Sequence, residues 1–118
     1  MLVDWDGFDP DYLTSAETPV LDDLARRGSL TRTAIASYRT TSNPSRATMS
    51  TGAWPEVHGN VAYIFDRQTG LARGQNRFLA AETPAEALAD AGLTVASVQW
   101  YMIQDHGVTY GDLDHLYV

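Results

Sequence analysis

The stretch TPAEALADAGLTVASVQW, residues 83–100, decides the predicted fold. Thr83 is a cap residue, Pro84 suits the first position of a helix, and Gly92 suits its end. Apolar residues at helical spacing fill the sequence between them. Residues 93–100 then alternate and are rich in β-branched side chains, which predicts a strand. A helix that leads directly into a strand is typical of an α/β fold.

The same helix opening occurs earlier, in TPVLDDLARRG at residues 18–28, and predicts a helix that ends at Gly28. Residues 2–6 are predicted to be the last part of a buried strand, and residues 30–38 a strand or extended segment. The order strand, helix, strand, helix, strand favours an α/β fold with a largely parallel sheet flanked by helices. We expect a single domain over residues 1–118.

The composition limits the classes of partner. The formal net charge of −7 disfavours binding to a nucleic acid polymer or an anionic membrane. There is no cysteine, so a metal ion would be held by Asp, Glu, His or hydroxyl oxygen. No apolar run approaches the roughly 20 residues of a membrane span, and no signal-peptide pattern is recognised, so we predict a cytoplasmic location by default. The oligomeric state is left open.

The strongest chemical signal is SNPSRATMSTG at residues 42–52. Ser42 precedes a proline-led turn, Arg46 follows one helical turn later, and Gly52 suits a helix end. We expect one or two helical turns over residues 46–50, with Ser42 where an extended segment meets the helix amino terminus. Backbone N–H groups and the helix dipole at such a position suit an anion. On composition alone, an ordinary serine-capped helix is the simpler interpretation.

Three stretches, in order along the chain, carry a resemblance to a known family. They are residues 18–28, which match the family pattern TPNLDxLAxxG, residues 42–52 continued through WPEVHG at 54–59, and TPAEALADAGL at 83–93. Together they resemble the amino-terminal part of the alkaline phosphatase superfamily, in its nucleotide pyrophosphatase/phosphodiesterase-like branch. The resemblance implies an incomplete alkaline phosphatase-like core, and a chain that is the amino-terminal part of a larger hydrolase domain.

The resemblance also implies a reaction. The family contains metal-dependent hydrolases of phosphate esters that act through a covalent intermediate, here on Ser42. Asp6 takes the position of the first metal ligand, and Ser42 is a metal ligand as well as the nucleophile. The implied cofactors are two divalent metal ions, Zn²⁺ by preference. The implied substrate is a small-molecule phosphate or sulfate ester.

Two more residues have predicted roles at this site. Arg46 is a catalytic candidate that assists the anion, and a structural ion pair is an equally good interpretation. Asn60 is the candidate substrate-binding residue, donating to a phosphoryl oxygen. The family's asparagine usually falls slightly further along, where this chain has Tyr63.

Two alternatives to a phosphodiesterase stay open at this point. The pattern Ser-x-Pro-Ser-Arg at residues 42–46 resembles the sulfatase signature, in which Ser42 would be converted to formylglycine and the metal would be Ca²⁺ or Mg²⁺. The start DGF at residues 6–8 favours the phosphodiesterase branch, because sulfatases usually begin with adjacent aspartates. Against that branch, its usual nucleophile is threonine before an aromatic residue and proline, whereas this chain has serine before asparagine and proline. The second alternative is a non-catalytic α/β binding module.

Two histidine motifs are interpreted without a catalytic role. His58 lies in PEVHG at residues 55–59, and we expect a structural histidine that bonds a loop. Asp105-His106-Gly107 is similar to a later metal motif of the family but comes far too early in the chain order. We favour coincidence over a ligand role, and a local metal site around it stays open as the alternative.

Overall fold

Two compact units, Met1–Ile35 and Ala36–Val118, make up the chain in the computed structural model. The structure describes residues 1–61, 64–73, 77–104 and 106–107.

The first unit contains two helices, α1 at Tyr12–Ser15 and α2 at Pro19–Arg27. Pro19 stands in the first turn of α2, where a backbone N–H has no partner within the helix. The helix ends where the Gly28 N–H donates to the Leu24 carbonyl oxygen at 2.8 Å. The first predicted helix is therefore confirmed.

The buried strand predicted at residues 2–6 is wrong, because these residues take no strand conformation. Leu2 and Val3 are 62% and 57% exposed, and the segment passes into a turn at Gly7, whose φ is 73°. A strand exists only through hydrogen bonds to a neighbour, and an apolar run of sequence does not specify that neighbour.

The second unit combines helices with a two-stranded hairpin. Its described elements are α3 (Ser42–Thr51), α4 (Pro55–His58), β1 (Ile64–Asp66), β2 (Leu71–Arg73), α5 (Pro84–Asp90) and a 3₁₀ turn (Tyr101–Ile103). Strands β1 and β2 pair antiparallel, with Phe65 opposite Ala72. The Asp66 carboxylate accepts the N–H groups of Gln68 and Thr69 at 2.9 and 3.3 Å, which closes the turn between the strands.

The strand predicted at residues 93–100 is wrong, and residues 30–38 form no strand either. Within the described parts of the chain the sheet is this hairpin, which is antiparallel rather than parallel. A parallel pair needs a partner that is distant in sequence, and a β-rich composition alone does not supply one. The mixture of helix and strand itself is confirmed.

The amino terminus of α5 carries a complete capping box. The Thr83 Oγ1 accepts the Glu86 N–H at 3.2 Å, and the Glu86 carboxylate accepts the Thr83 N–H at 2.6 Å. The buried Thr83 hydroxyl also donates to the His106 carbonyl oxygen at 3.0 Å. Burial raises the pKa of the Glu86 carboxyl, but hydrogen bonds from Thr83 and His106 outweigh it and hold this pKa below its ordinary value. The helix predicted from residue 83 is confirmed.

His106 is bonded to groups of its own unit. Its Nδ1 lies 3.3 Å from a Glu86 carboxylate oxygen, and its Nε2 lies 3.1 Å from the Arg77 carbonyl oxygen. The interpretation of its motif as a coincidence stays a prediction. Asp105, from the same motif, lies outside the described residues.

The core of the second unit lies between α3 and the 3₁₀ turn. Ala47 of α3 and Met102 of the turn are fully buried, Leu79 is nearly so, and Trp100 and Tyr101 pack against them. The small Ala47 side chain allows the 3₁₀ turn to approach the helix closely.

Gly59 follows α4 at a position that disfavours a side chain. Its φ is 73°, and a Cβ atom there would lie 3.0 Å from the Phe78 Cε1 atom. A positive φ disfavours residues with a side chain, and the phenyl ring fills the space besides. Glycine is therefore favoured after α4 for two reasons.

In the described parts of the chain, no helix has the length and apolar character needed to cross a membrane. The cytoplasmic location stays a prediction.

Candidate active site

Ser42 is the first residue of α3, directly after Thr41, whose backbone is extended with φ −102° and ψ 156°. The predicted junction between an extended segment and a helix start is confirmed. The helix is longer than predicted, because it includes residues 42–45 as well as residues 46–50. Pro44 permits this early start, since proline fits the first turn of a helix without breaking a helical hydrogen bond.

The amino terminus of α3 favours negative charge. An α-helix offers no internal acceptor to its first N–H groups, here those of Ser42 and Asn43, and Pro44 has none. The Ser45 N–H begins the helical pattern by donating to the Thr41 carbonyl oxygen at 3.2 Å. The Thr41 side chain makes no capping hydrogen bond in the described structure. Because the helix dipole adds partial positive charge, an anion beside this turn is stabilised.

Arg46 lies one helical turn after Ser42 and is half-buried. Its guanidinium carbon is 5.7 Å from the centroid of the Tyr101 ring, which is a cation–π distance. The Tyr101 hydroxyl donates to the Asn43 Oδ1. A single tyrosine therefore contacts two side chains close to Ser42.

A second aromatic residue holds the far end of α3. The Trp100 Nε1–H donates to the buried Ser50 Oγ at 2.7 Å. Gly52 then ends the helix with a φ of 66°. The consecutive residues Trp100 and Tyr101 thus contact the two ends of the same helix.

His58 joins α3 to the turn after α4 and is fully buried. The Asn60 backbone N–H donates to its Nδ1 at 3.0 Å, so the neutral ring carries its proton on Nε2, which donates to the Thr48 Oγ1 at 3.1 Å. Burial lowers the pKa of the His58 imidazole, although the nearby Glu56 carboxylate acts in the opposite direction. The structural role predicted for this histidine is confirmed.

Asn60, the predicted substrate-binding residue, is fully buried. Its Nδ2–H donates to the Phe78 carbonyl oxygen at 3.2 Å. This bond ties the turn after α4 to the segment that leads to α5. The role of Asn60 toward substrate stays a prediction.

Asp6, the predicted metal ligand, belongs to the first unit and is exposed directly before Gly7. Among residues 1–61, 64–73, 77–104 and 106–107, no three Asp, Glu or His side chains converge in the way that metal ligands do. The described residues therefore do not form a complete metal site by themselves. The ligand roles of Asp6 and Ser42 stay predictions.

The contacts of Trp100 and Tyr101 were beyond prediction from local sequence. Each bonds a partner that is 50 or 58 residues away. Aromatic residues at the end of a predicted strand or directly after it suit an ordinary core position equally well. The usable signal is that tyrosine and tryptophan each carry a polar group that needs a partner when buried.

Comparison with known proteins identifies the family. The family model described as type I phosphodiesterase / nucleotide pyrophosphatase matches residues 1–115. The chain belongs to this family. The resemblance to the nucleotide pyrophosphatase/phosphodiesterase branch is thereby confirmed for this phosphodiesterase-family chain.

Two curated relatives show how much of a family member the chain represents. They are ectonucleotide pyrophosphatase/phosphodiesterase family member 7 from Rattus norvegicus, 36% identical, and its counterpart from Mus musculus, 33% identical. Each match runs over 73 residues, which is 62% of this chain and 17% of the relative. The chain therefore spans a small part of the length of these relatives.

A solved structure supports the fold. The crystal structure of phosphonoacetate hydrolase from Sinorhizobium meliloti 1021, in complex with phosphonoacetate, matches with a TM-score of 0.75 and 29% sequence identity. The match covers 94% of this chain and 29% of the hydrolase chain. The α/β, alkaline phosphatase-like fold class is confirmed. That this phosphodiesterase-family chain is one part of a larger hydrolase domain stays a prediction.

Proposed function

We propose that the chain carries the nucleophile of a hydrolase of small phosphate esters, and that Ser42 forms the covalent intermediate. One observation carries the proposal: Ser42 begins α3 one turn before Arg46, in a chain that matches the phosphodiesterase family model over residues 1–115. The substrate class follows the printed name of the curated relatives, which is nucleotide pyrophosphatase/phosphodiesterase. The solved neighbour is named for phosphonoacetate, which shares the phosphoryl group but has a carbon–phosphorus bond in place of the ester.

The proposed reaction is a double displacement on a phosphodiester. The Ser42 Oγ attacks phosphorus in line, the Oγ–P bond forms, the P–O bond to the leaving group breaks, and the hydroxyl proton ends on the departing alcohol. A water oxygen then attacks the same phosphorus, the Oγ–P bond breaks, and one water proton returns to Ser42. The products are an alcohol and a phosphate monoester, as hydrolysis requires.

The first turn of α3 supplies electrostatic stabilisation to this reaction. Its backbone N–H groups and the helix dipole act on the phosphoryl oxygens, whose negative charge must be accommodated in the transition state. Arg46 adds a full positive charge and planar N–H donors that suit phosphate. The Arg46 guanidinium carbon lies 5.7 Å from the centroid of the Tyr101 ring, and the hydroxyl of the same tyrosine donates to Asn43 in the first turn of α3.

The metal-dependent part of the proposal rests on the resemblance. Asp6 and Ser42 are the ligands that it assigns within this chain, for divalent ions that would be Zn²⁺ by preference. Such ions neutralise negative charge on phosphoryl oxygens. Metal analysis of the intact protein tests this part, and a metal content that is unchanged in Asp6→Asn would contradict the ligand role of Asp6.

The test of the nucleophile compares two serine-to-alanine variants within α3 of the intact protein. We expect Ser42→Ala to lower the turnover of bis(p-nitrophenyl) phosphate by at least about 1,000-fold, because it removes the attacking oxygen. Ser50→Ala removes a buried hydroxyl from the other end of the helix, and we expect it to keep turnover within about threefold. Release of p-nitrophenolate measures both. A folded Ser42→Ala protein with parental turnover would overturn the proposal.

The family match favours the phosphodiesterase branch over the sulfatase alternative. Mass spectrometry of the peptide that contains Ser42 separates the two. An unmodified serine agrees with the proposal, whereas an aldehyde at this position contradicts it. Absence of turnover in the intact, metal-loaded protein would instead favour a non-catalytic module.

A further inference from the structure

Tyr101 contacts the beginning of α3 through two different groups. Its hydroxyl donates to the Asn43 Oδ1, and its ring lies 5.7 Å from the Arg46 guanidinium carbon. Asn43 is buried, and Tyr101 is half-buried beside the fully buried Met102. Because water competes less for polar groups in such surroundings, both contacts are stronger than they would be at an exposed surface.

The two partners of Tyr101 are Asn43, which lies in the first turn of α3, and Arg46, which begins the second turn. Asn43 directly follows Ser42, so a fixed Asn43 side chain also restrains the backbone that presents the first N–H groups of α3. Arg46 is one turn on, and its long side chain has many rotamers that a ring contact restricts before any substrate binds. Both effects reduce the reorganisation that binding of an anion would otherwise require.

We propose that Tyr101 is a positioning residue for the reaction at Ser42. Through Asn43 and Arg46 it holds the anion-binding turn of α3 in the geometry that the phosphoryl group needs. Tyr101 acts through these two residues and not by direct contact with the substrate. This inference rests on the proposed function and deepens it.

Trp100 provides a matched control within the same 3₁₀ region. It donates one hydrogen bond to Ser50, at the opposite end of α3 from Ser42. Trp100→Phe and Tyr101→Phe each remove one hydrogen-bonding group and keep an aromatic ring. A purely structural role for Tyr101 predicts the same result for both variants, whereas a positioning role predicts different ones.

The first experiment measures kcat and KM of the intact protein with bis(p-nitrophenyl) phosphate. We expect Tyr101→Phe to lower kcat/KM by about 5- to 10-fold, the loss that corresponds to one hydrogen bond. We expect Trp100→Phe to keep kcat/KM within about twofold of the parent value. The two variants should lower the melting temperature by similar amounts, because each loses one hydrogen bond. Equal losses of kcat/KM in the two variants would overturn the inference.

The second experiment tests whether Tyr101 acts through Arg46. Tyr101→Leu removes the hydroxyl and the ring, and we expect a loss of about 100-fold in kcat/KM. Arg46→Ala should then have a much smaller effect in the Tyr101→Leu background than in the parent, because the two residues act as a unit. Fully additive losses would contradict the coupling.

The third experiment measures binding of inorganic phosphate by calorimetry and separates this inference from the proposed function. We expect Tyr101→Phe to weaken phosphate binding by about 5-fold and Trp100→Phe to leave it unchanged. Parental turnover in Ser42→Ala overturns the proposed function, whereas parental kcat/KM and phosphate affinity in Tyr101→Phe overturn the inference. If the parent protein has no turnover, phosphate binding decides alone, and no phosphate binding counts against the inference.

Discussion

The residues before α3 and α5 have nearly the same backbone angles, but the two helix starts differ in their hydrogen bonds and charge. Thr41 has φ −102° and ψ 156°, and Thr83 has φ −101° and ψ 157°. Thr83 forms a complete capping box with Glu86, whereas the Thr41 side chain makes no capping bond in the described structure. The backbone conformation before the helix therefore does not decide whether its end is capped.

The third helical position explains the difference. In α5 it is Glu86, whose N–H reaches the Thr83 hydroxyl and whose carboxylate reaches back to the Thr83 N–H. In α3 it is Pro44, which has neither an N–H nor a carboxylate. A capping box is therefore chemically impossible in α3. The structural helix carries its own negative charge at its start, and the helix of the candidate site does not.

The strongest way to break this comparison is to place a carboxylate at the start of α3. We expect Thr41→Asp to lower kcat/KM for bis(p-nitrophenyl) phosphate by about 100-fold, because the new charge repels the substrate anion. The helix itself should become slightly more stable, since an acidic residue suits its dipole. Enzyme assay and thermal unfolding measure the two effects.

Thr41→Asn is the control for Thr41→Asp, because it has nearly the same shape and no charge. We expect it to keep kcat/KM within about threefold of the parent. Equal losses in the two variants would mean that the position, and not the charge, matters.

The converse change removes the capping box of α5. We expect Thr83→Ala to lower the free energy of unfolding by about 1 to 2 kcal/mol, because the Glu86 N–H and the His106 carbonyl both lose a partner. Turnover per folded molecule should stay unchanged. Urea unfolding measures the stability, and Glu86→Gln, which preserves the pattern of a capping box, should cost less. A lower turnover of folded Thr83→Ala would contradict a purely structural role for the start of α5.

The smallest expected effects are those of pH on stability. His58 is the titrating group that contacts α3, and Glu86 is the one at the start of α5. The folded state lowers the pKa of His58 below its ordinary value of 6.5, so unfolded chains bind the proton first. Stability is therefore full above this value and falls as the pH drops below it, by at most about 1.4 kcal/mol per pH unit. The Glu86 pKa is also lowered, so its contribution is lost only in more acidic solution.

Thermal unfolding between pH 7.5 and 5.5 measures how the titration of His58 changes the stability of the protein. The slope with pH should be smaller in His58→Gln, whatever its absolute stability. A parental slope in this variant would assign the effect to another group.

Local signals predicted α2, α3 and α5, but not the short helices α1 and α4. The Thr-Pro openings at residues 18 and 83 specify helix starts through proline geometry and capping, both of which act over a few residues. The strands predicted at residues 2–6 and 93–100 did not form. A strand needs a partner strand to pair with, and the sequence of one segment does not specify that partner.

The candidate site divides in the same way. The position of Ser42 at a helix start follows from its neighbours in sequence and was predictable. The contacts that Tyr101 makes with Asn43 and Arg46 join residues that are more than 50 positions apart. No periodicity or motif encodes such a contact, so the positioning role emerges only from the folded chain.

The packing of Gly59 against Phe78 links the turn after α4 to a segment that is distant in sequence. Phe78, whose ring occupies the space of its missing side chain, also offers the carbonyl oxygen that receives the Asn60 amide. A methyl group at Gly59 would push the Phe78 ring away. This shift would disturb the hydrogen bond between the Asn60 amide and the Phe78 carbonyl oxygen. The His-Gly pair at residues 58 and 59 is therefore explained by packing and hydrogen bonding. A sequence motif of this kind can include residues that take no part in the reaction.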